Sequence, residues 1–342
     1  MKKAIVTGGY GFIGSNLIKH LLQKNYFIIN IDKLSYSANL YNLKDVKTKN
    51  YVFLKSDIGN KKKISNVLDK HKPEIIFNLA AETHVDRSID SPLEFINSNF
   101  LSVFNLLETI RIHNRKHKKK TKLLHISTDE VYGDILDKTK RSNENFPYQP
   151  SSPYAATKAS ADLLIKSYVR TYNFPAIISN CSNNYGPRQF PEKLIPKIIF
   201  NILHDIPIPV YSKGQNSREW IYVDDHCKAL EIVANKGKFG ESYNIGSGKN
   251  IKNIELINLI INIIKKKNKI DKKIVIKYVK DRPGHDFRYA LDSRKIFKKF
   301  KWKSTINLNE GLKKTINWYI KNLEYFNLIS RKDFKLRAGL KI

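Results

Sequence analysis

Short apolar runs alternate with amphipathic stretches through the first half of the chain. The runs at 4–7, 27–32, 52–54, 75–80, 123–127 and 176–180 are apolar at consecutive positions, the pattern of strands buried on both faces rather than one. Strands of that kind separated by helical segments are joined by right-handed crossovers and line up in parallel. The pattern predicts an α/β domain, a doubly wound parallel sheet, over residues 1–185. After about Gly186 the rhythm breaks, with Pro187, Pro191, Pro196, Pro207 and Pro209 punctuating short segments ahead of a helical stretch near 254–265. A smaller C-terminal α/β domain over 186–342 follows, with part of 219–250 returning to the first domain. No internal repeat or low-complexity linker separates the two, so they are expected to pack together.

Composition narrows the class. At 342 residues, 41% hydrophobic and 27% charged, with only 15 Gly and 12 Pro, the chain has the balance of a packed globular protein, which excludes disordered, collagen-like and disulfide-stapled designs. No apolar run approaches the roughly 18 residues of a membrane span. The apolar opening is cut by Gly8, Gly9, Gly11 and Gly14, so neither a membrane association nor a secretory signal is expected. The two cysteines, Cys181 and Cys227, offer neither a disulfide framework nor a Cys/His metal spacing. No metal is expected, and a reducing cytoplasm is the compartment they fit. The 62 Lys and Arg against 31 Asp and Glu give a net charge of +31, which raises the question of nucleic acid. The lysines stand in short runs at 61–63, 118–120 and 265–267 with no interleaved aromatic platform. That is the arrangement of solvated faces, and no nucleic-acid partner is expected.

The run GGYGFIGS places Gly8, Gly11 and Gly14 directly after the first strand and at the start of a helix carrying Leu17, Ile18, Leu21 and Leu22. Glycines there allow a tight turn and let the helix N-terminus approach a pyrophosphate. The spacing is Gly8-x-x-Gly11-x-x-Gly14, looser than the dehydrogenase fingerprint. Asp32 ends the second strand 18 residues after Gly14, where a carboxylate accepts from adenosine ribose hydroxyls and repels a 2′-phosphate. Strand, turn, helix and acid in that order make the domain Rossmann-type and the cofactor NAD.

Tyr154 and Lys158 lie in SSPYAATKAS, where Ser152 can cap a helix and Pro153 can occupy its first position. Four residues apart on a helix, they share a face. A phenol titrating near 10 is a poor base at neutral pH, and a neighbouring ammonium favours the phenolate. On that reading Tyr154 accepts a hydroxyl proton as hydride leaves for nicotinamide. Alone the pair would read as surface residues; the glycine turn upstream changes that. Thr128, Asp129 and Glu130 follow the fifth apolar run, at the carboxyl end of a parallel strand where ligands bind in this architecture. Adjacent carboxyls there can divide acid and base roles if their surroundings push their pKa values apart.

With these residues in place, the chain resembles the extended short-chain dehydrogenase/reductases and, among them, the dTDP-glucose 4,6-dehydratases. The likeness runs through GGYGFIGS, AAETHVDRSI, STDEVYG, SPYAATKAS, NCSNNYGPRQFPEKLIP, SREWIYVDDH, YNIG and DRPGHDFRYA, up to about Trp302. Tyr10 stands where that family usually has Ala, and Thr83 where it usually has Ser. The segment 134–149 is not a distinctive match. The resemblance implies NAD contacts from Gly8, Gly11, Phe12, Ile13, Gly14, Asp32, Lys33, Leu34, Ser35, Asp57, Ile58, Leu79, Ala80, Ala81, Glu82, Thr83, Ser98, Tyr154, Lys158 and Asn180. It implies substrate contacts from Thr83, Thr128, Asn183, Lys193, Leu194, Pro209, Val210, Tyr211, Arg218, Asn253, Asp281, Arg282, Pro283, Gly284 and His285. Lys193, Arg218 and Arg282 independently suit a diphosphate. His84, Asp86 and Arg87 are left without assigned chemistry.

The implied reaction oxidises C4 of dTDP-glucose through Tyr154 and Lys158. Water is then eliminated across C5 and C6, with Glu130 as base and Asp129 as acid while Thr128 holds the C4 oxygen, and hydride returns to C6. The implied assembly is a homodimer with a helix-mediated interface. Nucleotide-sugar epimerases and decarboxylases on the same scaffold are the nearest alternatives, but neither has a use for an acid aimed at a C6 hydroxyl. A noncatalytic NAD-binding or RNA-binding protein is the alternative from another class, and it has no chemical need for Thr128, Asp129, Glu130, Tyr154 and Lys158 together.

Overall fold

The computed structural model describes residues 1–118, 120–268 and 273–327. In chain order its strands are β1 (Lys2–Thr7), β2 (Tyr26–Asp32), β3 (Tyr51–Lys55), β4 (Ile75–Asn78), β5 (Lys122–Thr128), β6 (Ala176–Cys181), β7 (Asn183–Tyr185), β8 (Ile208–Tyr211), β9 (Ser217–Tyr222), β10 (Ser242–Ile245), β11 (Asn250–Lys252) and β12 (Ile276–Val279). The helices are α1 (Phe12–Gln23), α2 (Lys61–His71), α3 (Val85–Asp90), α4 (Pro92–Phe95), α5 (Ser102–Lys116), α6 (Pro153–Tyr172), α7 (Leu194–Leu203), α8 (Val223–Lys236), α9 (Asn253–Asn268), α10 (Arg294–Phe300), α11 (Leu308–Lys321) and α12 (Glu324–Asn327).

Seven strands form one parallel sheet in the order β10-β6-β5-β4-β1-β2-β3. Alternate side chains of each strand point to opposite faces. Val6, Ile28 and Phe77 pack with Leu17, Ile18 and Leu21 of α1 and Leu230 and Val233 of α8. Their neighbours Ile5, Ile29 and Ile76 pack with Ile64 and Leu68 of α2, Leu106 and Ile110 of α5 and Ile165 of α6. Burial on both faces is why the strands read as unbroken apolar runs. The order reverses between β1 and β4, and a crevice opens there beyond the strand carboxyl ends.

One difference from the sequence expectation has a local cause. The run 75–80 stops being a strand at Asn78, because the Leu79 and Ala80 N–H groups donate to Thr7 Oγ1 at 3.1 and 3.0 Å instead of to a neighbouring strand. The seventh strand, β10, comes from YNIG late in the chain and pairs with β6. It arrives by way of α8, which also packs against α1.

A second core gathers Ile195, Ile198 and Ile199 of α7, Leu256, Ile257 and Ile260 of α9, and Leu312, Ile316 and Tyr319 of α11. It is flanked by a three-stranded sheet, β11-β9-β7, and a two-stranded one, β12-β8. The undistinguished segment 134–149 is a fastening: Asp134 accepts from the Phe287 and Arg288 N–H groups at 2.8 and 2.9 Å, and Ser142 N–H donates to Ala290 O at 2.9 Å. The end of the second region, from 328 to 342, lies outside the described residues.

Candidate active site

The glycine turn between β1 and α1 is shaped for close approach. Gly8 has φ +67°, and a Cβ on Gly14 would sit 2.2 Å from Gly8 O and 2.8 Å from the Gly9 Cα, so the first turn of α1 lies directly on the loop. The helix N-cap is Gly11, with no side-chain cap, which leaves its first N–H groups facing the crevice for an anion. Asp32, at the end of β2, is buried and fixed by both oxygens: the Leu34 N–H donates to Oδ1 at 2.8 Å and the Tyr10 N–H to Oδ2 at 2.9 Å. Burial pushes its carboxyl upward while those two N–H bonds pull it down.

Across the switch point, β5 ends in Thr128, whose hydroxyl accepts from the Glu130 N–H at 3.3 Å and donates to Asp129 Oδ1 at 3.3 Å. Asp129 is buried, and its Oδ2 has no hydrogen-bond partner among the described residues. Desolvation, then Glu130 and Glu219, holds it well above the usual carboxylate range. Glu130 keeps part of its surface on the cleft. Burial raises its carboxyl too, but Arg282, Arg218 and Lys193 oppose the shift. The two acids therefore share a desolvated strand end, where burial raises both carboxyls and Arg282, Arg218 and Lys193 oppose the rise at Glu130.

Helix α6 begins as expected, with Ser152 accepting from the Ala155 N–H at 3.2 Å and Pro153 in the first turn. Tyr154 and Lys158 are both buried in the cleft wall. The expected lowering of the phenol by the ammonium is not found. Lys158 Nζ donates to Ile126 O at 2.8 Å and lies 3.2 Å from His125 Nε2, while burial and the Glu130 charge push the Tyr154 phenol well up. Burial lowers Lys158 itself to about 8, and Asp162 opposes that fall.

One continuous cleft brings together Gly8, Gly11, Phe12, Ile13, Gly14, Asp32, Lys33, Ser35, Asp57, Ile58, Leu79, Ala80, Ala81, Thr83, Ser98, Thr128, Asp129, Glu130, Tyr154 and Lys158. An adjoining cavity of about 550 Å³ shares Thr83, Glu130, Asn183 and Lys193 with it and adds Leu194, Pro209, Val210, Tyr211, Arg218, Asn253, Arg282 and His285. Asn183 Oδ1 and Arg282 Nε are buried there without a hydrogen-bond partner among the described residues. Arg282 ion-pairs with Asp86 at 3.0 Å, and Arg218 donates to Asp286 O at 2.8 Å while stacking 4.3 Å over Tyr289.

Comparison with known proteins gives the same reading. The sequence profile of the GDP-mannose 4,6 dehydratase family matches residues 5–315. A dTDP-glucose 4,6-dehydratase of Salmonella typhimurium is 42% identical, over 95% of this chain and 94% of that protein. A probable dTDP-glucose 4,6-dehydratase of Sinorhizobium fredii is 44% identical over 94% of this chain and 93% of its own. The crystal structure of the Bacillus anthracis dTDP-glucose 4,6-dehydratase in complex with NAD superposes with a TM-score of 0.88 at 39% identity, covering 96% of this chain and all of that one. The chain belongs to the GDP-mannose 4,6 dehydratase family, in its dTDP-glucose 4,6-dehydratase branch.

Several residues expected at the dehydratase site stand behind it or beside it. Asn180 is fully buried and donates to Thr128 O at 3.3 Å. Glu82 ion-pairs with Lys33 at 3.0 Å, and Leu34 contributes its N–H to Asp32. Asp281, Pro283 and Gly284 form an exposed turn outside both cavities, with Asp281 paired to His285 at 2.6 Å. Sequence reasoning missed the support under Lys158. His125 lies 3.7 Å from Asp162 Oδ1, and Asp162 Oδ2 accepts from Ser127 Oγ at 2.7 Å and Tyr148 Oη at 3.2 Å. Helical spacing carried that signal, since Tyr154, Lys158 and Asp162 recur every four residues along α6.

Proposed function

We propose that this protein converts dTDP-glucose to dTDP-4-dehydro-6-deoxy-glucose and water, with NAD resident along the glycine turn. The residues present fit that cofactor: the uncapped start of α1 suits a diphosphate, and the doubly anchored Asp32 suits ribose hydroxyls. Bound there, NAD supplies the acceptor for the C4 hydrogen and later the donor to C6, so no net oxidant is consumed.

The chain's own groups handle the protons. Tyr154 takes the C4 hydroxyl proton, and Lys158, buried in the same cleft wall, supplies a positive charge there. Thr128 holds the C4 oxygen. Once C4 is a ketone, the C5 hydrogen is acidic; Glu130 removes it and Asp129 protonates the departing C6 hydroxyl, which leaves as water. Lys193, Arg218 and Arg282 take the diphosphate, and the cavity around Pro209, Val210 and Tyr211 takes the nucleoside. On this reading residues 1–185, joined by the return through α8 and β10, hold the cofactor, and the later chain holds the substrate. The observation that carries the reading is that Thr128, Asp129, Glu130, Tyr154 and Lys158 line one cleft with the glycine turn.

We place the protein in the cytoplasm as a homodimer. Both cysteines are free and buried, and no helix among the described residues is long and apolar enough to cross a membrane. Phe104 and Ile112 on α5 and Leu163 on the adjoining α6 are exposed apolar side chains suited to a second copy. Incubation with dTDP-glucose, followed by NMR of the product, tests the function. The 4-keto-6-deoxy product is expected; turnover of UDP-glucose or GDP-mannose in its place would overturn the substrate.

A further inference from the structure

A second cluster of ligating side chains lies far from the cleft. Helix α2 runs into β4 and α5 runs into β5, so both helices end at the amino edge of the sheet, opposite the crevice. At that edge Asp69 of α2 meets His113 of α5 and His117, the residue that terminates α5. His113 Nδ1 lies 2.9 Å from Asp69 Oδ1, and His117 Nε2 lies 3.6 Å from the same oxygen. The two imidazoles stand 4.3 Å apart between ring centres, and the three ligand atoms all fall within 4.8 Å of one another.

We propose that Asp69, His113 and His117 form a zinc site that clamps the ends of α2 and α5 together beneath β4 and β5. The geometry supports zinc in particular. Ligands held about 2.0–2.1 Å from a tetrahedral Zn²⁺ are about 3.3–3.4 Å from each other. The separations of 2.9 and 3.6 Å straddle that edge, and the third, between the two nitrogens, is no more than 4.8 Å, so the part-exposed His117 ring need move by at most about 1.5 Å to close the triangle. Two imidazoles and a carboxylate are an N/O set that zinc accepts and that calcium and magnesium, which take oxygen, do not favour.

The surroundings fit a structural clamp with one open position. His113 has only 2% of its side chain exposed, which fixes its ring, whereas Asp69 is 53% exposed and His117 32%. A water can therefore complete four-coordination from the solvent side. The C-terminal ends of two helices carry partial negative charge, which favours a cation between them. The neighbouring Lys70 and Lys116 are exposed, so solvent screens their repulsion.

The experiment uses the untagged full chain, freed of metal by chelator and titrated with Zn²⁺ alone by calorimetry, with retained metal counted after gel filtration. One Zn²⁺ per chain is expected, together with a rise in melting temperature. His117→Ala and Asp69→Asn, both at accessible positions, should each weaken binding at least roughly tenfold and abolish that rise. Their metal-free melting curves serve as the folding control, and loss of a cooperative melt in one variant leaves the other to decide. No stoichiometric uptake by the native chain, or uptake that survives both substitutions, would overturn the site.

Discussion

Asp162→Asn should change the pH dependence of turnover rather than simply reduce it. Lys158 Nζ lies 3.2 Å from His125 Nε2, which lies 3.7 Å from Asp162 Oδ1. The ammonium and carboxylate are thus no more than about 7 Å apart, and at an effective dielectric of about 20 their attraction is at least roughly 2.4 kcal/mol, about 1.7 pKa units. Burial has already lowered Lys158 to about 8; without the carboxylate it should fall to about 6.3. At pH 8 the charged fraction then drops from about one half to about 2%, a loss of roughly 25-fold, whereas at pH 6 the loss is under about twofold. The sign follows from a lysine whose proton leaves earlier as pH rises. The assay is the initial rate of dTDP-glucose conversion from pH 6 to 9, with a melting curve as control for folding. A deficit of equal size at every pH, or none, would refute Asp162 as the group that keeps Lys158 charged.

Three other substitutions test the remaining parts. Gly14→Ala sets a Cβ 2.2 Å from Gly8 O, so the phosphate turn must move by about 1 Å at a strain of roughly 1–3 kcal/mol; NAD retained on purification, read by absorbance after denaturation, should be lost. Asp129→Asn removes the acidic proton that the proposal assigns to this carboxyl, whose pKa burial raises. Product formation should fall roughly 10²- to 10⁴-fold while C5 hydrogen exchange persists, and the alkaline decline that marks ionisation of Asp129 should disappear. Arg282→Ala should raise KM for dTDP-glucose roughly ten- to hundredfold, from about 1.5–3 kcal/mol of charge-assisted bonding; an unchanged KM with a reduced kcat would remove it from the diphosphate site.

The larger sheet was legible because strands buried on both faces leave unbroken apolar runs, and the cleft because glycine spacing and strand-end acids sit close together in sequence. What the pattern left out is non-local. The expectation placed part of 219–250 with the first domain without naming the strand it joins; β10 pairs with β6, and nothing within YNIG shows that partner. Asp134 looked undistinguished because its partners, the Phe287 and Arg288 N–H groups, lie some 150 positions away. The phenol's environment was misjudged for a related reason. The helical spacing placed Lys158 beside Tyr154, but the strand carbonyl of Ile126 and the ring of His125 engage the ammonium instead.

The most direct test of the account is turnover of dTDP-glucose in deuterated water, with the product read by NMR and mass spectrometry. One deuterium at C5 of a 4-keto-6-deoxy product is expected from the native chain, and Glu130→Gln should abolish C5 exchange in recovered substrate. A product formed with its original C5 hydrogen, or C5 exchange undiminished in Glu130→Gln, would contradict elimination through Glu130.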